Sequence, residues 1–251
     1  MKNVKYLNTM DLKEVRIWNI KFNLLTEIEI ADIVDKWISE GRKGIHLTGV
    51  NADVVGIAQT DKLLHTAIME SDIVNIDSML PAFFLKKHGF KLKGRASTPD
   101  VMEEFFKKAN EKRQKVFFLG AKQETLDKLK PVLEKEYPNM IIAGMQNGYY
   151  KQEEEEKVIN TIASLAPDYL FIALPSPAKE HFILNHKHSI NVGVFYGVGG
   201  ALDAKSGVFK RPPKWLRAYG LEGLFRIIRK PGVHIARLPR TFEFFKIALR
   251  K

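Results

Sequence analysis

The sequence predicts an α/β fold, a mostly parallel sheet with helices on both faces, followed by a basic helical appendage. Three observations carry this. Short apolar runs alternate with amphipathic helical stretches as far as Gly200, the rhythm of a sheet whose strands are joined through helices. Asn51 and Asp77 fall at or just past the carboxyl ends of two of those runs, the edge where open α/β sheets bind ligands. Charge is segregated: positions 205–251 hold 13 Lys and Arg against 2 acids, so the whole formal excess of +11 lies there and the preceding 204 residues are balanced.

A chain of 251 residues is long enough for one large α/β domain with an addition. The division expected is a body over 1–207 and a basic amphipathic appendage over 208–251. The absence of cysteine excludes a disulfide framework and any thiolate-bound metal. Residues 1–9 lack the apolar core of a signal peptide. No apolar run approaches the roughly 20 residues that span a bilayer. The expectation is a soluble protein or one held at a membrane surface.

The elements follow in order. Positions 15–22 alternate as a strand. Thr26 with Glu29 three residues on has capping-box spacing, and Ile30, Ile33, Val34, Trp37 and Ile38 continue as a helix to about Glu40. Gly41 and Gly44 flank the turn into a strand at 45–50. Helices at 51–59 and 61–70 lead to a strand at 72–76 that delivers Asp77. A helix over 79–88 stops at Gly89. Thr98-Pro99-Asp100 opens the next helix, with Val101, Met102, Phe105, Phe106 and Ala109 as its buried stripe. Strands at 116–119, 141–143, 169–174 and 192–196 alternate with helices at 123–136, 153–165 and about 181–188. The glutamate run 153–156 reads as a solvated helix face.

The tail changes character after Gly200. Pro212-Pro213 opens a helix whose Leu221, Leu224, Phe225 and Ile228 share a face. Pro231-Gly232 breaks it. Leu238, Phe242, Phe245 and Leu249 recur at helical spacing among Arg237, Arg240, Lys246 and Arg250. Basic helices with leucine and aromatic faces are the composition of helices that lie on membranes. The plainer alternative is that these faces pack on the body and the charges are solvated. A nucleic-acid partner would also suit the charge, yet the glycine-rich cofactor fingerprint and RNA-binding signatures are missing. None is expected.

Asp77 admits two readings from the residues alone: a general base, or the N-cap of the helix that follows. Arg95 is a cation at the same edge, suited to bidentate phosphate contact. Gly120 and the run Gly197-Val198-Gly199-Gly200 leave backbone amides near strand ends, where a phosphate or a base could approach. Asp72 and Asp77 are too far apart for a DxD-type metal pair, and His181, His186 and His188 read as surface histidines. Gly144 to Gly148 with Tyr149 is either a loop on the acceptor side or a plain turn.

Taken together, several stretches resemble the bacterial WecG/TagA/CpsF glycosyltransferase family. They are the Asn51 turn, the Asp77 strand tip, Val116-Phe-Phe-Leu-Gly120, Ser176-Pro177 with Glu180, Gly197-Val-Gly-Gly-Ala-Leu-Asp203 through Ser206-Gly207, Arg211-Pro-Pro-Lys-Trp215, and Gly220-Leu-Glu-Gly-Leu-Phe-Arg226. The resemblance covers about Val15 to Arg237. It implies a Rossmann-like body and inverting transfer of a sugar, typically N-acetylmannosamine, from a UDP-sugar donor to a polyprenyl-diphosphate-linked sugar acceptor. The product serves teichoic acid or another surface polysaccharide. It implies no cofactor and no metal, and a cytoplasmic enzyme held peripherally on the inner face of an anionic membrane by its appendage. Homo-oligomers are compatible with the sequence, which does not fix the number of subunits. By position, Asp77 matches the general base, Asn51 an asparagine near the sugar, Arg95 an arginine that meets the diphosphate, and Arg226 an appendage arginine on the leaving phosphates.

The chain departs from the family pattern in places. Gly49 stands where a threonine is usual, with Thr48 adjacent. Lys179 replaces the glutamine of Pro-Lys-Gln-Glu. Val233 and Ala236 occupy expected arginine positions, with His234 and Arg237 one place on. Gly49, Thr48 and Lys179 are therefore expected at the sugar or acceptor, with Lys179 also a candidate cation for the diphosphate, and Gly49 and Lys179 are expected to alter donor specificity.

Overall fold

The computed structural model describes residues 12–209 and 238–249, with positions 212, 213, 216, 225 and 232 between them. Its elements are β1 (Glu14–Ile17), β2 (Ile20–Asn23), α1 (Glu27–Ser39), β3 (Ile45–Val50), α2 (Ala52–Ala58), α3 (Lys62–Glu70), β4 (Ile73–Ile76), α4 (Met79–Lys87), α5 (Thr98–Lys112), β5 (Lys115–Gly120), α6 (Gln123–Glu136), β6 (Ile141–Gln146), α7 (Glu155–Leu165), β7 (Tyr169–Ala173), α8 (Ala178–His186), β8 (Val194–Gly197), α9 (Ala201–Lys205) and α10 (Leu238–Leu249). Six strands form one sheet in the order β4-β3-β8-β7-β5-β6. Every pairing in it is parallel.

Both faces are covered, which is why the strands read as continuous apolar runs. Ile45 and Leu47 of β3, Phe118 of β5 and Phe171 of β7 pack with α1, α5, α6 and α9. On the other face, Phe117, Leu119, Leu170 and Ile172 meet α7 and α8. Val50, Val74 and Ile76 meet α2, α3 and α4. Helix α1 begins as its capping box dictates: Thr26 accepts from the Glu29 amide and the Glu29 carboxylate takes the Thr26 amide. Pro131 sits inside α6 without ending it.

The first strand expected is two. β1 and β2 form an antiparallel hairpin whose turn residues, Trp18 and Asn19, both lie in the left-handed region at φ 54° and 60°. That is the twist a two-residue hairpin turn needs. Asn19 tolerates it. Trp18 is held there by burial, edge-on to Phe22, His88 and Phe244. Strand β6 runs to Gln146, longer than expected. A register shift between Val116 and Phe117 passes over Ala143, and this bulge hid the strand's second half.

The far helix α10 forms where its spacing predicts, and it meets the body along one side. Its buried residues are Phe244 and Ala248, while Phe242 and Leu249 are 64% and 61% exposed. Phe244 and Ala248 pack into the cluster of Trp18, Val54, Val55 and Phe84. His88 Nε2 lies 3.1 Å from the Ala248 carbonyl. Where α10 crosses α2, a Cβ on Gly56 would stand 3.3 Å from the Arg240 carbonyl. Apart from positions 212, 213, 216 and 225, the helix expected at 212–230 lies outside the described residues, as do Arg226 and Arg237. No described helix is long and apolar enough to cross a membrane.

Candidate active site

The sheet's carboxyl edge brings Asn51, Asp77 and Gly199 into a row. Val50 pairs with Ile76, so Asn51 and Asp77 are neighbours at the next level. Thr48 pairs with Gly197, so Gly199 lies near the level of Val50 on the other side. With parallel strands about 4.8 Å apart, Asp77 and Gly199 are separated by roughly 10 Å, the reach of a sugar and its phosphates.

Asp77 is half-buried, and its Oδ1 accepts the Thr98 amide at 2.6 Å. It does not cap its own helix, because Ser78 is the N-cap of α4. The N-cap reading of Asp77 is therefore replaced by a longer-range contact to the start of α5. That bond ties the strand tip to the segment 95–98, and so carries Arg95 to the same edge, since three residues span at most about 11 Å. Two more bonds fix the segment. Asn75 Nδ2 donates to the Ala96 carbonyl at 2.7 Å. The Tyr196 hydroxyl, buried on β8, reaches Asn75 Oδ1 at 3.3 Å and the Thr98 carbonyl at 3.5 Å. Burial pushes the Tyr196 phenol well above its ordinary value, so it stays a hydrogen-bond donor. Asn51 is the N-cap of α2, its Oδ1 accepting from the Val54 amide at 3.1 Å. Its Nδ2 is the end that can meet a ligand.

Several candidates turn out to have interior work. Thr48 points to the opposite face of β3 from Gly49. Its hydroxyl lies 2.8 Å from Ser71 Oγ and 3.0 Å from His46 Nε2. His46 is fully buried and held down to a pKa of about 3 by desolvation and by Lys187, Lys21 and Lys179. Thr48 thus belongs to a neutral buried network, not to the ligand edge. Gly49 is inside the sheet, and its missing side chain is occupied by Thr98. Gly120, at φ +110°, uses its bareness against the Ala173 backbone, 2.5 Å from where a Cβ would stand. Gly199, at φ +51°, has among the described residues only the Leu174 carbonyl near its would-be Cβ, at 3.9 Å.

Lys179 is a correction of a different kind. Expected as an open cation at the ligand, it is 5% exposed. Its ammonium is bound by Glu180 Oε1 and Ser176 Oγ, and its stem lies against Gly197. Glu180 is itself fully buried, and its Oε2 has no partner among the described residues. The pair is a neutral buried unit beside the β8 tip.

Sequence reasoning passed over Asp203 and Thr98. Asp203, in α9 just past Gly199-Gly200, takes a hydrogen bond from Thr125 Oγ1 at 2.7 Å, and its place after a glycine run was the available signal. Thr98 gave none, since its part depends on a contact 21 positions away. Of the histidines, His181 lies 3.2 Å from Asp61 and His186 lies 3.5 Å from Glu155, as side chains of a helix surface.

An open, all-parallel sheet with an acid, an amide and a cation-bearing segment on its carboxyl edge has the architecture of α/β proteins that bind ligands at that edge. Residues 15–251 match the model of the glycosyl transferase WecG/TagA/CpsF family. The chain belongs to that family and is a glycosyltransferase. Among its relatives is a protein of Bacillus subtilis strain 168, 29% identical over 86% of this chain and 83% of its own length, named N-acetylglucosaminyldiphosphoundecaprenol N-acetyl-beta-D-mannosaminyltransferase. Proteins of the same name from Bacillus spizizenii and Staphylococcus aureus strain NCTC 8325 are similar. They are 29% and 27% identical, covering 76% and 86% of this chain and 73% and 84% of their own lengths.

Proposed function

We propose that this glycosyltransferase moves a sugar, N-acetylmannosamine or a close relative, from a UDP-sugar to a polyprenyl-diphosphate-linked N-acetylglucosamine, with inversion at the anomeric carbon. The acceptor hydroxyl oxygen attacks that carbon as its bond to the UDP oxygen breaks, and Asp77 takes the hydroxyl proton. Asn51 Nδ2 orients the sugar. Arg95, with Arg226 and Arg237 of the appendage, meets the charge that develops on the diphosphate. Gly199 leaves room for the nucleotide to approach, and Asp203 is a carboxylate placed to accept from ribose hydroxyls. The names of the relatives support the substrates. The observation that carries the site assignment is the Thr98 amide to Asp77 bond, which gathers base and cation-bearing segment at one edge.

The chain divides in this reading into a catalytic body, 1–207, and an appendage, 208–251, that holds it on the inner face of an anionic membrane. The support is an apolar face with a basic rim. Phe83 of α4 is 59% exposed and stacks edge-on to Phe84, which in turn meets Phe245 of α10. Phe242 and Leu249 extend that face along the helix, and Lys86, Lys87, Arg240 and Lys246 are exposed around it.

The test is a panel of UDP-sugars with a synthetic prenyl-diphosphate N-acetylglucosamine, products identified by mass spectrometry. Asp77→Asn is expected to lower turnover by roughly 10²- to 10⁴-fold while UDP still binds. Wild-type turnover by that variant would remove Asp77 from the chemistry.

A further inference from the structure

We infer that Gly49 and Thr98 form a coupled positioning pair for Asp77, in which the bare backbone of Gly49 is the seat for the Thr98 side chain. The inference rests on Asp77 being the base.

A β-carbon built on Gly49 would stand 2.0 Å from Thr98 Oγ1, a distance that no real pair of such atoms keeps, and 3.4 Å from Thr98 Cβ, which is ordinary contact. The Thr98 hydroxyl therefore fills a notch in β3 that exists because position 49 carries no side chain. Gly49 shows no left-handed backbone, so its conformation gives no reason for a glycine. The close approach does.

The seating has a consequence at the edge. Thr98 is the first residue of α5. Its amide holds Asp77 Oδ1, and its carbonyl faces the Tyr196 hydroxyl. Asn75, the β4 partner of Gly49, anchors the same segment through the Ala96 carbonyl. Thr98 is β-branched and stiff, and it is 5% exposed, so it has little room to swing away. Any atom added at position 49 pushes on Thr98. The push reaches the amide that orients the carboxylate, and also the backbone that brings Arg95 to the edge. Gly49 is thus no sugar contact of its own. It fixes the height at which α5 meets the sheet.

The pair is tested by steady-state kinetics on the full chain with UDP-N-acetylmannosamine, or whichever donor the panel selects. Gly49→Ala is expected to lower kcat by roughly a hundredfold, the order of loss produced by an ångström of misplacement, with KM for the donor within about threefold. Thr98→Ala removes Oγ1 and keeps the β-carbon, 3.4 Å from a methyl at 49, so the tightest remaining neighbour is the end of the Asn75 side chain at 3.3 Å, which yields by a few tenths of an ångström at most. The double variant Gly49→Ala/Thr98→Ala is therefore expected to regain at least about tenfold over Gly49→Ala, a non-additivity that only neighbours in contact show. Wild-type kcat in Gly49→Ala, or a double variant no faster than Gly49→Ala, would overturn the pairing. Should Gly49→Ala not fold, single variants at 98 decide. Thr98→Val, which still fills the notch, is expected to keep a higher kcat than Thr98→Ala, and the reverse order refutes the seat. Failure of the underlying reading looks different, because Asp77→Asn would then stay active whatever the pair does.

Discussion

Lys179 shows how much a single side chain's role depends on its partner. A lysine at a ligand edge invites a phosphate, but this one is closed in by Glu180 and Ser176. Breaking a buried ion pair by removing one member is costly, of the order of 3–5 kcal/mol, because the other charge is left behind. Lys179→Gln strands Glu180, whose second oxygen already lacks a partner among the described residues. The variant is expected to lower Tm by on the order of 10 °C in a calorimetric scan, with any change of donor preference secondary. A scan superimposable on wild type would mean that the ammonium is free for substrate after all. Little of this was legible beforehand, although Lys179 and Glu180 are adjacent in the sequence. Adjacency on a helix does not bring two side chains face to face; the fold does so by burying both. Asp77 was legible as a strand tip, whereas its tie to Thr98 was not, since nothing local couples positions 21 apart.

At the scale of the element, local rules served well wherever the cause was local. The Thr26 and Glu29 box starts α1 as its spacing predicts, and the same carboxylate also binds Lys93 and Lys13. The Lys93 hydrogen bond and the Thr26 amide hold the Glu29 carboxyl down to about 2 from an ordinary 4.5. A group depressed in the folded state adds stability above its unfolded value and loses it as pH falls toward the folded one. The contribution is therefore present at neutral pH and fades between about 4.5 and 2. Glu29→Gln should melt lower than wild type at pH 7, and the gap should narrow as the pH drops through that window. A gap independent of pH would contradict the linkage. Elements with a distant cause were misread. The turn of β1 and β2 places a tryptophan at positive φ because Phe244 and His88 bury it. In α10 the stripes 242, 245, 249 and 241, 244, 248 both have helical spacing. Only the fit against α2 at Gly56 chooses the second for burial.

For the whole molecule, that choice alters what the basic appendage can be. Part of it packs on the body through Phe244, and part stays outward through Phe242 and Leu249. Of the two readings that the composition left open, packing holds for the Phe244 side of the helix, and the proposed surface contact would fall to the exposed side that carries Phe242 and Leu249. Cutting the chain near residue 207 would thus bare the cluster around Trp18 and confuse two effects. Paired changes on the outer side are cleaner. Phe83→Glu with Phe242→Glu should reduce recovery with vesicles of anionic lipid, since basic residues near such a leaflet contribute about 1 kcal/mol each only if the surface comes close. Tm should stay within a few degrees, both side chains being solvent-facing. Undiminished recovery would place the membrane contact elsewhere.

The two flanks of the sheet are not alike. Beside β4, the side chain of Asn23, the last residue of β2, accepts the Val74 amide at 2.8 Å and donates to the Leu12 carbonyl at 3.0 Å, so the hairpin lies along that flank. At the opposite flank β6 is half-exposed, and Ile141 is 45% open to solvent. An incoming backbone finds one side already answered and the other still able to zip. If copies of this chain join edge to edge, they do so β6 to β6, and the pairing closes at two.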